Sequence, residues 1–438
     1  MMVQQEVDGL VHDLVMTQDI AIKQQIAQNI FAIAKARGIY LSSIHDLYIA
    51  QGRYRKPFTV PAMNLRSLTY YLARAVYRVA KRHKAGAFIF ELAKSEMGYT
   101  NQPPIEYTGA VLGAAIKEGY EGPVFVQGDH CQLKAKAYFE NREKEMTAIK
   151  HLIEDAVSGG FYNIDVDTST VVDLKKPTIK EQQRDNFESC VELTKFIREI
   201  QPSGITISVG GEIGEVGGKN STVEELDAFM EGYEESLPRG ATGLSKISVQ
   251  TGTSHGGVVL PDGTIKEVSV DFETLKKLSE HARARYSLGG AVQHGASTLP
   301  EEAFHKFPEI GTVEIHLATN FQNMIFESKL FPNDLREKMY QWLDGNCPEE
   351  KKPGQSSQQF IYKARKRALG PFKKEIMGLP ESTKEGIAKE IEENFDFLFR
   401  QLNVINTSDF VAGVIKPVDV ELGAHGKAKA VLDGEGDD

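Results

Sequence analysis

Between residues 56 and 330 the chain repeats one unit eight times: a short apolar run followed by a helical pattern. This alternation restricts the fold more than any other feature of the sequence. Short runs rich in β-branched and aromatic residues are typical of buried strands. Strands that alternate with helices form a parallel sheet, because the chain returns along each helix before the next strand begins. Eight such units predict an α/β fold that closes as a TIM (β/α)8 barrel.

The predicted strands can be placed from these runs. They lie at 58–64, 86–92, 124–127, 161–165, 206–210, 244–249 and 312–316, with the seventh at either 286–288 or 291–293. A doubly wound open sheet is the alternative. Polar clusters follow five of the strands, whereas an open sheet would concentrate them at one switch point, so the barrel is favoured.

Two helical regions are expected to flank the barrel at 56–330. Isoleucines at helical spacing predict an N-terminal helical extension over 1–55. Residues 331–426 predict a C-terminal helical region that contains a polar linker, a basic segment and an amphipathic helix from Ser382 to Leu402. Ser382 and Glu385 have the spacing of a capping box at the start of that helix. Residues 427–438 predict an acidic tail.

Composition excludes several classes of protein. The net charge of -10 argues against a nucleic-acid partner. The N-terminus lacks the pattern of a secretory signal, and no stretch approaches the ~18 apolar residues that predict a membrane span. Cys131, Cys190 and Cys347 are widely spaced and odd in number, which indicates a reducing compartment. We therefore expect a cytoplasmic protein that binds no membrane.

Three histidines follow three different predicted strands. Asp129 and His130 end the third, His255 follows the sixth and His294 follows the seventh. The carboxyl ends of barrel strands meet at one rim, so the three imidazoles can form a divalent metal site with an open position. Zn²⁺ is the first choice, with Co²⁺, Mn²⁺ and Fe²⁺ open. Asp129 is the candidate catalytic acid–base group; the alternative is that it only orients His130.

Glycine-rich loops and acidic residues surround these histidines. Residues 254–257 and 294–297 offer backbone N–H groups that can wrap an anion such as phosphate. Asp165 and Glu212 end two further strands, where they could bind a second cation or support the histidines. Asp167 and Glu215 are left open between that role and the role of solvated loop acids.

Taken in order, these motifs resemble those of the class II, metal-dependent fructose-bisphosphate aldolases, over about 61–322 and again at 362–371. The resemblance implies a TIM barrel that cleaves fructose 1,6-bisphosphate to dihydroxyacetone phosphate and glyceraldehyde 3-phosphate. It implies catalysis by Asp129, a metal on the three histidines and acidic support from Asp165 and Glu212. It also implies a phosphorylated sugar as the partner, a homodimer or higher oligomer, and a K⁺ or Na⁺ site. The implied phosphate- and substrate-binding residues are Asn64, Ser95, Gly256, Gly257, Gly295, Ser297, His316, Thr319 and Arg365, and the implied monovalent-cation residues are Ser254, Gly256, Gly295 and Ser297.

The chain departs from this family pattern after the eighth strand, which marks it as a divergent member. His316 stands where the family has Asn, and Ala318 where it has Asp; the second change resembles members that act on tagatose bisphosphate. His316 could also serve as a substitute ligand or acid. Three alternatives stay open: an aldolase for tagatose bisphosphate or another ketose phosphate, a non-catalytic scaffold with an aldolase-like barrel, and a metal hydrolase.

Overall fold

A closed barrel of eight parallel strands forms the centre of the protein. The computed structural model describes residues 2–54, 56–214, 219–252, 258–260, 265–266 and 269–423. Consecutive barrel strands pair side by side, and the eighth pairs with the first through the register Glu314↔Val60 and His316↔Ala62. The predicted TIM barrel is therefore confirmed.

The described residues contain eleven strands, of which β2–β7, β10 and β11 form the barrel. They are β1 (Ile39–Ser42), β2 (Val60–Asn64), β3 (Ile89–Ala93), β4 (Gly122–Gln132), β5 (Asn163–Asp167), β6 (Ser208–Glu212), β7 (Lys246–Val249), β8 (Val258–Val259), β9 (Ile265–Lys266), β10 (Ala291–Gln293) and β11 (Glu314–Leu317). β8 and β9 pair with each other as an antiparallel ribbon.

The helices surround the barrel and extend from both ends of its sequence. They are α1 (Met2–Met16), α2 (Ile20–Lys35), α3 (His45–Ala50), α4 (Thr69–His83), α5 (Lys94–Tyr99), α6 (Pro104–Glu118), α7 (Ala135–Glu140), α8 (Arg142–Ser158), α9 (Ile179–Gln182), α10 (Arg184–Ile200), α11 (Val223–Ser236), α12 (Phe272–Tyr286), α13 (Lys306–Glu309), α14 (Thr319–Glu327), α15 (Asn333–Asn346), α16 (Ser357–Ala364), α17 (Lys373–Met377), α18 (Glu381–Gln401) and α19 (Ser408–Val414).

The N-terminal extension packs on the barrel helix α6. Leu14 and Val11 lie so close to Gly109 and Gly113 that a Cβ on either glycine would come within 2.5 Å of a leucine or valine methyl carbon. Lys23 of α2 forms a buried ion pair with a carboxylate at the start of α6. The extension is not wholly helical as predicted, because β1 continues the sheet beside the first residues of β4.

Two further sequence predictions are refined by the structure. The seventh barrel strand is β10, the second of the two predicted positions. The long C-terminal helix α18 begins at Glu381 after Pro380, so Ser382 lies inside its first turn and does not cap it. The predicted capping box is therefore wrong; Glu385 instead pairs with Arg74 of α4, which attaches α18 to the barrel. Among the described residues, no helix combines the length and apolar character needed to cross a bilayer.

Candidate active site

The carboxyl ends of the barrel strands bring together a dense group of buried acidic and basic side chains. In a parallel strand alternate side chains face the barrel interior, and those near the carboxyl end form the floor of its mouth. The group consists of Glu91 on β3, Asp129 and His130 on β4, Asp165 and Asp167 on β5, Glu212 on β6, Lys246 on β7, His294 after β10, and Glu314 and His316 on β11.

A local irregularity in β4 lets Asp129 and His130 contribute to the same site. Successive side chains of a regular strand point to opposite faces. Here the pairing of β4 with β5 shifts register between Gly128 and Cys131, and His130 has a φ of 44°. This left-handed backbone is uncommon outside glycine and costs of the order of 1–3 kcal/mol. The bulge places His130 Nε2 3.8 Å from Asp129 Oδ1, so both side chains face the mouth.

His130 lies between two carboxylates and a second imidazole. Its Nδ1 is 3.3 Å from Asp167 Oδ2 and 3.9 Å from Glu212 Oε2. Its ring centroid is 4.4 Å from that of His294. A carboxylate beside Nδ1 fixes the orientation of an imidazole and increases its basicity as a ligand. Asp167, which the sequence left open, is thus the β5 acid that contacts His130.

His316 connects this group to the other side of the barrel. Its Nδ1 lies 3.0 Å from Glu91 Oε2 and 3.2 Å from Asp129 Oδ1, while its Nε2 lies 2.7 Å from Glu314 Oε1. Its ring stacks on His294, with centroids 4.1 Å apart and an angle of 21° between the planes. His316 therefore contacts both the candidate acid–base group and a candidate metal ligand.

Lys246 supplies a fixed positive charge deeper in the barrel. Its side chain is fully buried, and its Nζ lies 2.8 Å from Asp165 Oδ1 and 2.5 Å from Glu314 Oε1. Nζ also donates to Gln127 Oε1 at 2.8 Å. Asp165, expected beside a second cation, is thus paired with an ammonium group of the chain itself.

The surroundings move the pKa values of these carboxyl groups in different directions. Burial acts to raise the pKa of Asp129, but the charges of His130 and His316 hold it well below its usual value. Burial, together with the nearby Asp167, raises the pKa of Glu212 well above its usual value. Asp129 is accordingly held in its ionised form, whereas Glu212 is driven toward its protonated form.

The expected substrate-binding residues lie around this group. Asn64, at the end of β2, donates to Glu96, and Ser95 is half-buried in α5. Gly295 has a φ of 67° directly after His294. The Ser297 hydroxyl accepts a 2.7 Å hydrogen bond from the Ala318 N–H group, which precedes Thr319 at the start of α14.

Arg365 lies apart from these residues, against α14. Its Nη2 donates to Asn323 Oδ1 at 2.5 Å, and its guanidinium carbon is 4.7 Å from the ring centroid of Tyr362. No contact joins it to the carboxylates at the mouth within the described residues. Five other predicted positions lie outside the part of the chain that the structure describes: Ser254, His255, Gly256, Gly257 and Glu215.

Three buried charged residues were missed in the sequence. Glu91, Lys246 and Glu314 were assigned only to strands, although a charged residue inside an apolar run is rare unless it is paired. Glu314 and His316 are two residues apart on one strand, a spacing that places both on the same face. Polar residues at every second position of a predicted strand could therefore have indicated that part of the barrel interior is polar.

The residues present fit a divalent transition metal. One ligand atom from each of Asp129, His130 and His294 lies within 4.8 Å of the others. Imidazole and carboxylate groups are the donors that Zn²⁺, Mn²⁺, Fe²⁺ and Co²⁺ accept in proteins. The two described histidines are fixed by neighbouring groups, since Ser248 Oγ lies 3.0 Å from His294 Nε2 and Asp167 contacts His130.

The solved structures to which the chain is similar have low sequence identity to it. A probable tagatose 6 phosphate kinase from Sinorhizobium meliloti is 15% identical with a TM-score of 0.53, covering 81% of this chain and all of that one. A putative fructose-1,6-biphosphate aldolase from Coccidioides immitis is 17% identical with a TM-score of 0.48. The alignment covers 84% of this chain and 97% of that one. Fructose-bisphosphate aldolase from Campylobacter jejuni is 18% identical with a TM-score of 0.46 and covers 84% and 97%.

The family comparison extends over most of the sequence. The model of the family described as fructose-bisphosphate aldolase class-II matches residues 49–382, which include the whole barrel and the basic segment that follows it. This match covers well over half of the chain and contains the end of every barrel strand described above. The chain belongs to the class II fructose-bisphosphate aldolase family.

Proposed function

We propose that the protein is a metal-dependent aldolase that reversibly cleaves a ketose 1,6-bisphosphate, with fructose 1,6-bisphosphate as the first candidate. The products would be dihydroxyacetone phosphate and glyceraldehyde 3-phosphate. One observation carries the proposal: the bulge in β4 brings Asp129 and His130 to the same barrel mouth as His294. A carboxylate beside a cluster of imidazoles provides an acid–base group next to a candidate metal site.

His130, His255 and His294 would hold the divalent ion, for which Zn²⁺ is the first candidate. When bound, such an ion supplies Lewis-acid stabilisation of negative charge on a substrate oxygen. Asp167 and Glu212 flank His130 and would hold its ring in the ligating orientation. Asp165 is the less suitable support, because Lys246 already neutralises its carboxylate.

Asp129 would transfer the proton in the reaction. Its low pKa keeps it ionised near neutral pH, so it can accept a proton from the substrate during cleavage and return it in the reverse direction. His316 contacts its Oδ1 at 3.2 Å and would restrict the orientation of the carboxylate. Burial of the pair would keep bulk water away from the transferred proton.

The loops after the sixth and seventh barrel strands would bind the substrate phosphate through backbone N–H groups. Gly256, Gly257, Gly295 and Ser297 are the candidates, with Ser254, Gly256, Gly295 and Ser297 for a monovalent cation. Asn64, Ser95, His316, Thr319 and Arg365 complete the proposed substrate contacts. The left-handed backbone of Gly295 supports a tight loop beside His294.

A tagatose bisphosphate or another ketose phosphate is the alternative substrate. The imidazole of His316 is buried among Glu91, Asp129 and Glu314, where it replaces the smaller amide of the family pattern. Ala318 removes a carboxylate next to it. Both changes alter the side chains that could contact the carbon skeleton of the sugar. Several sugar stereoisomers should therefore be tested as substrates.

The deciding experiment is a coupled cleavage assay with metal-quantified protein on fructose and tagatose 1,6-bisphosphates and the corresponding monophosphates. We expect kcat/KM to be highest for a 1,6-bisphosphate, and we expect His294→Ala to abolish cleavage together with metal binding at the three histidines. Metal-loaded, folded protein that cleaves none of these sugars would support the scaffold alternative. Hydrolysis of phosphate-free esters or amides without sugar cleavage would support the hydrolase.

A further inference from the structure

The carboxylates at the barrel mouth outnumber the positive charges that the chain provides. Six carboxylates are each at most 6% exposed: Glu91, Asp129, Asp165, Asp167, Glu212 and Glu314. In the described part of the chain, Lys246 is the one Lys or Arg side chain that forms an ion pair with any of them. With the imidazoles neutral, as metal ligands must be, six carboxylates against one ammonium group and one divalent ion leave an excess of three negative charges.

Such an excess is costly in a buried site. An ionised carboxylate loses its hydration on burial and must recover that energy from a cation or from strong hydrogen bonds. Glu91 is fully buried, so its carboxylate bears this cost in full. An additional cation would reduce it.

The geometry around His316 Nδ1 provides a place for that cation. Glu91 Oε2 and Asp129 Oδ1 lie 3.0 and 3.2 Å from Nδ1, yet Nδ1 has no hydrogen-bond partner among the described residues, so neither oxygen lies along the N–H direction. Glu91 Oε2 accepts a hydrogen bond from Gln127 Nε2 at 3.1 Å, whereas Glu91 Oε1 and Asp129 Oδ1 are buried without a hydrogen bond in that set. Each of the three side chains therefore has a buried ligand atom that no other described group satisfies.

The distances of 3.0 and 3.2 Å from His316 Nδ1 to the two carboxylate oxygens match the spacing of ligands around a transition metal. Ligands bound at about 2.0–2.2 Å, at angles between octahedral and tetrahedral, are separated from one another by roughly 3–3.5 Å. All three ligand atoms lie within 4.8 Å of one another. On the opposite side of the ring, Lys246 already occupies the equivalent position between Asp165 and Glu314.

We propose that Glu91, Asp129 and His316 form a second divalent-cation site, one layer deeper in the barrel than the three histidines. Two carboxylates and one imidazole suit Zn²⁺, Mn²⁺ or Fe²⁺. Asp129 lies between the two positions, 3.8 Å from His130 Nε2, so the ions would share it as a neighbour. The inference rests on the proposed function only in assuming one ion at the three histidines.

The test is the number of Zn²⁺ ions bound per chain, measured by mass spectrometry of the metal after equilibrium dialysis against a fixed Zn²⁺ concentration. We expect two equivalents for the full-length protein and one for Glu91→Gln and for His316→Asn. The matched control is Glu145→Gln, which neutralises a buried carboxylate that accepts a hydrogen bond from the backbone N–H of Lys134. This variant should still bind two Zn²⁺ ions per chain. Far-UV circular dichroism identifies variants that fail to fold.

Each outcome decides between explanations. One equivalent in the unmodified protein that His294→Ala removes, or two in folded Glu91→Gln and His316→Asn, would overturn the second site and assign the excess charge to protons. If both variants fail to fold, the count for the unmodified protein still decides. His294→Ala tests the three-histidine site separately: a count that it leaves unchanged would contradict the proposed function without affecting the second site.

Discussion

The two nitrogens of His316 face two groups of carboxylates that are balanced in different ways. On the Nε2 side, Glu314 and Asp165 share the ammonium group of Lys246. On the Nδ1 side, Glu91 and Asp129 have no Lys or Arg ion pair within the described residues. The first group is partly balanced by an ammonium group of the chain itself, whereas the second needs an ion or a proton from solution. The imidazole ring of His316 thus separates carboxylates that support the fold, on its Nε2 side, from the carboxylates proposed to take part in the reaction, on its Nδ1 side. We call these the structural side and the reactive side.

The largest expected effect is on the reactive side. Asp129→Asn keeps the shape of the side chain but removes the acid–base group, so kcat for aldol cleavage should fall about 10²–10⁴-fold. At least one equivalent of metal should remain bound, because the histidines are untouched. Steady-state kinetics and metal analysis of the same preparation check this. A parallel loss of metal and activity would reduce Asp129 to a supporting role.

The next effect is on the structural side. Lys246→Met leaves Asp165 and Glu314 buried without their cation, and we expect it to lower the free energy of unfolding by about 3–5 kcal/mol in urea denaturation. The exposed pair Lys180–Glu235 is the matched reference. Lys180→Met should cost less than about 1 kcal/mol. Equal losses of unfolding free energy in the two variants would show that the buried ion pairs of Lys246 do not stabilise the fold more than an exposed pair does.

A smaller expected effect is that the carboxylates on the two sides of His316 change the stability of the fold in opposite directions as the pH rises. Burial raises the pKa of Glu91 from 4.5 to about 7, whereas the Lys246 charge outweighs burial at Glu314 and lowers its pKa to about 2. The stabilising contribution of Glu91 is therefore complete below pH 4.5 and is lost as the pH rises through 7. That of Glu314 is present above pH 4.5 and is lost as the pH falls toward 2.

Glutamine variants test these opposite signs in metal-free protein. Glu91→Gln should remove a decrease in unfolding free energy between pH 5 and 7, and Glu314→Gln should remove a decrease below pH 4.5. The expected changes are of the order of 1–3 kcal/mol. Urea denaturation across the pH series measures them. If the difference in unfolding free energy between variant and unmodified protein changed with pH in the same direction for both variants, the contrast between the two sides of His316 would be contradicted.

The barrel could be predicted from sequence because its signal is local and repeated. Each strand is a short apolar run, and the observed strands begin or end within a few residues of the predicted ones. The polar interior was harder, since Lys246 and Glu314 lie within those same runs and their pairing depends on which strands become neighbours. The bulge at His130 was also beyond reach, because it depends on the register of β4 against β5.

The central claim is that the histidines at the barrel mouth hold an ion needed for cleavage. Its most direct test is to remove metal from the protein, confirm the removal by elemental analysis, and titrate Zn²⁺ back while measuring cleavage of fructose 1,6-bisphosphate. We predict that activity disappears on depletion and returns in proportion to bound metal, and that His294→Ala does not respond. Undiminished cleavage by verified metal-free protein would contradict the account.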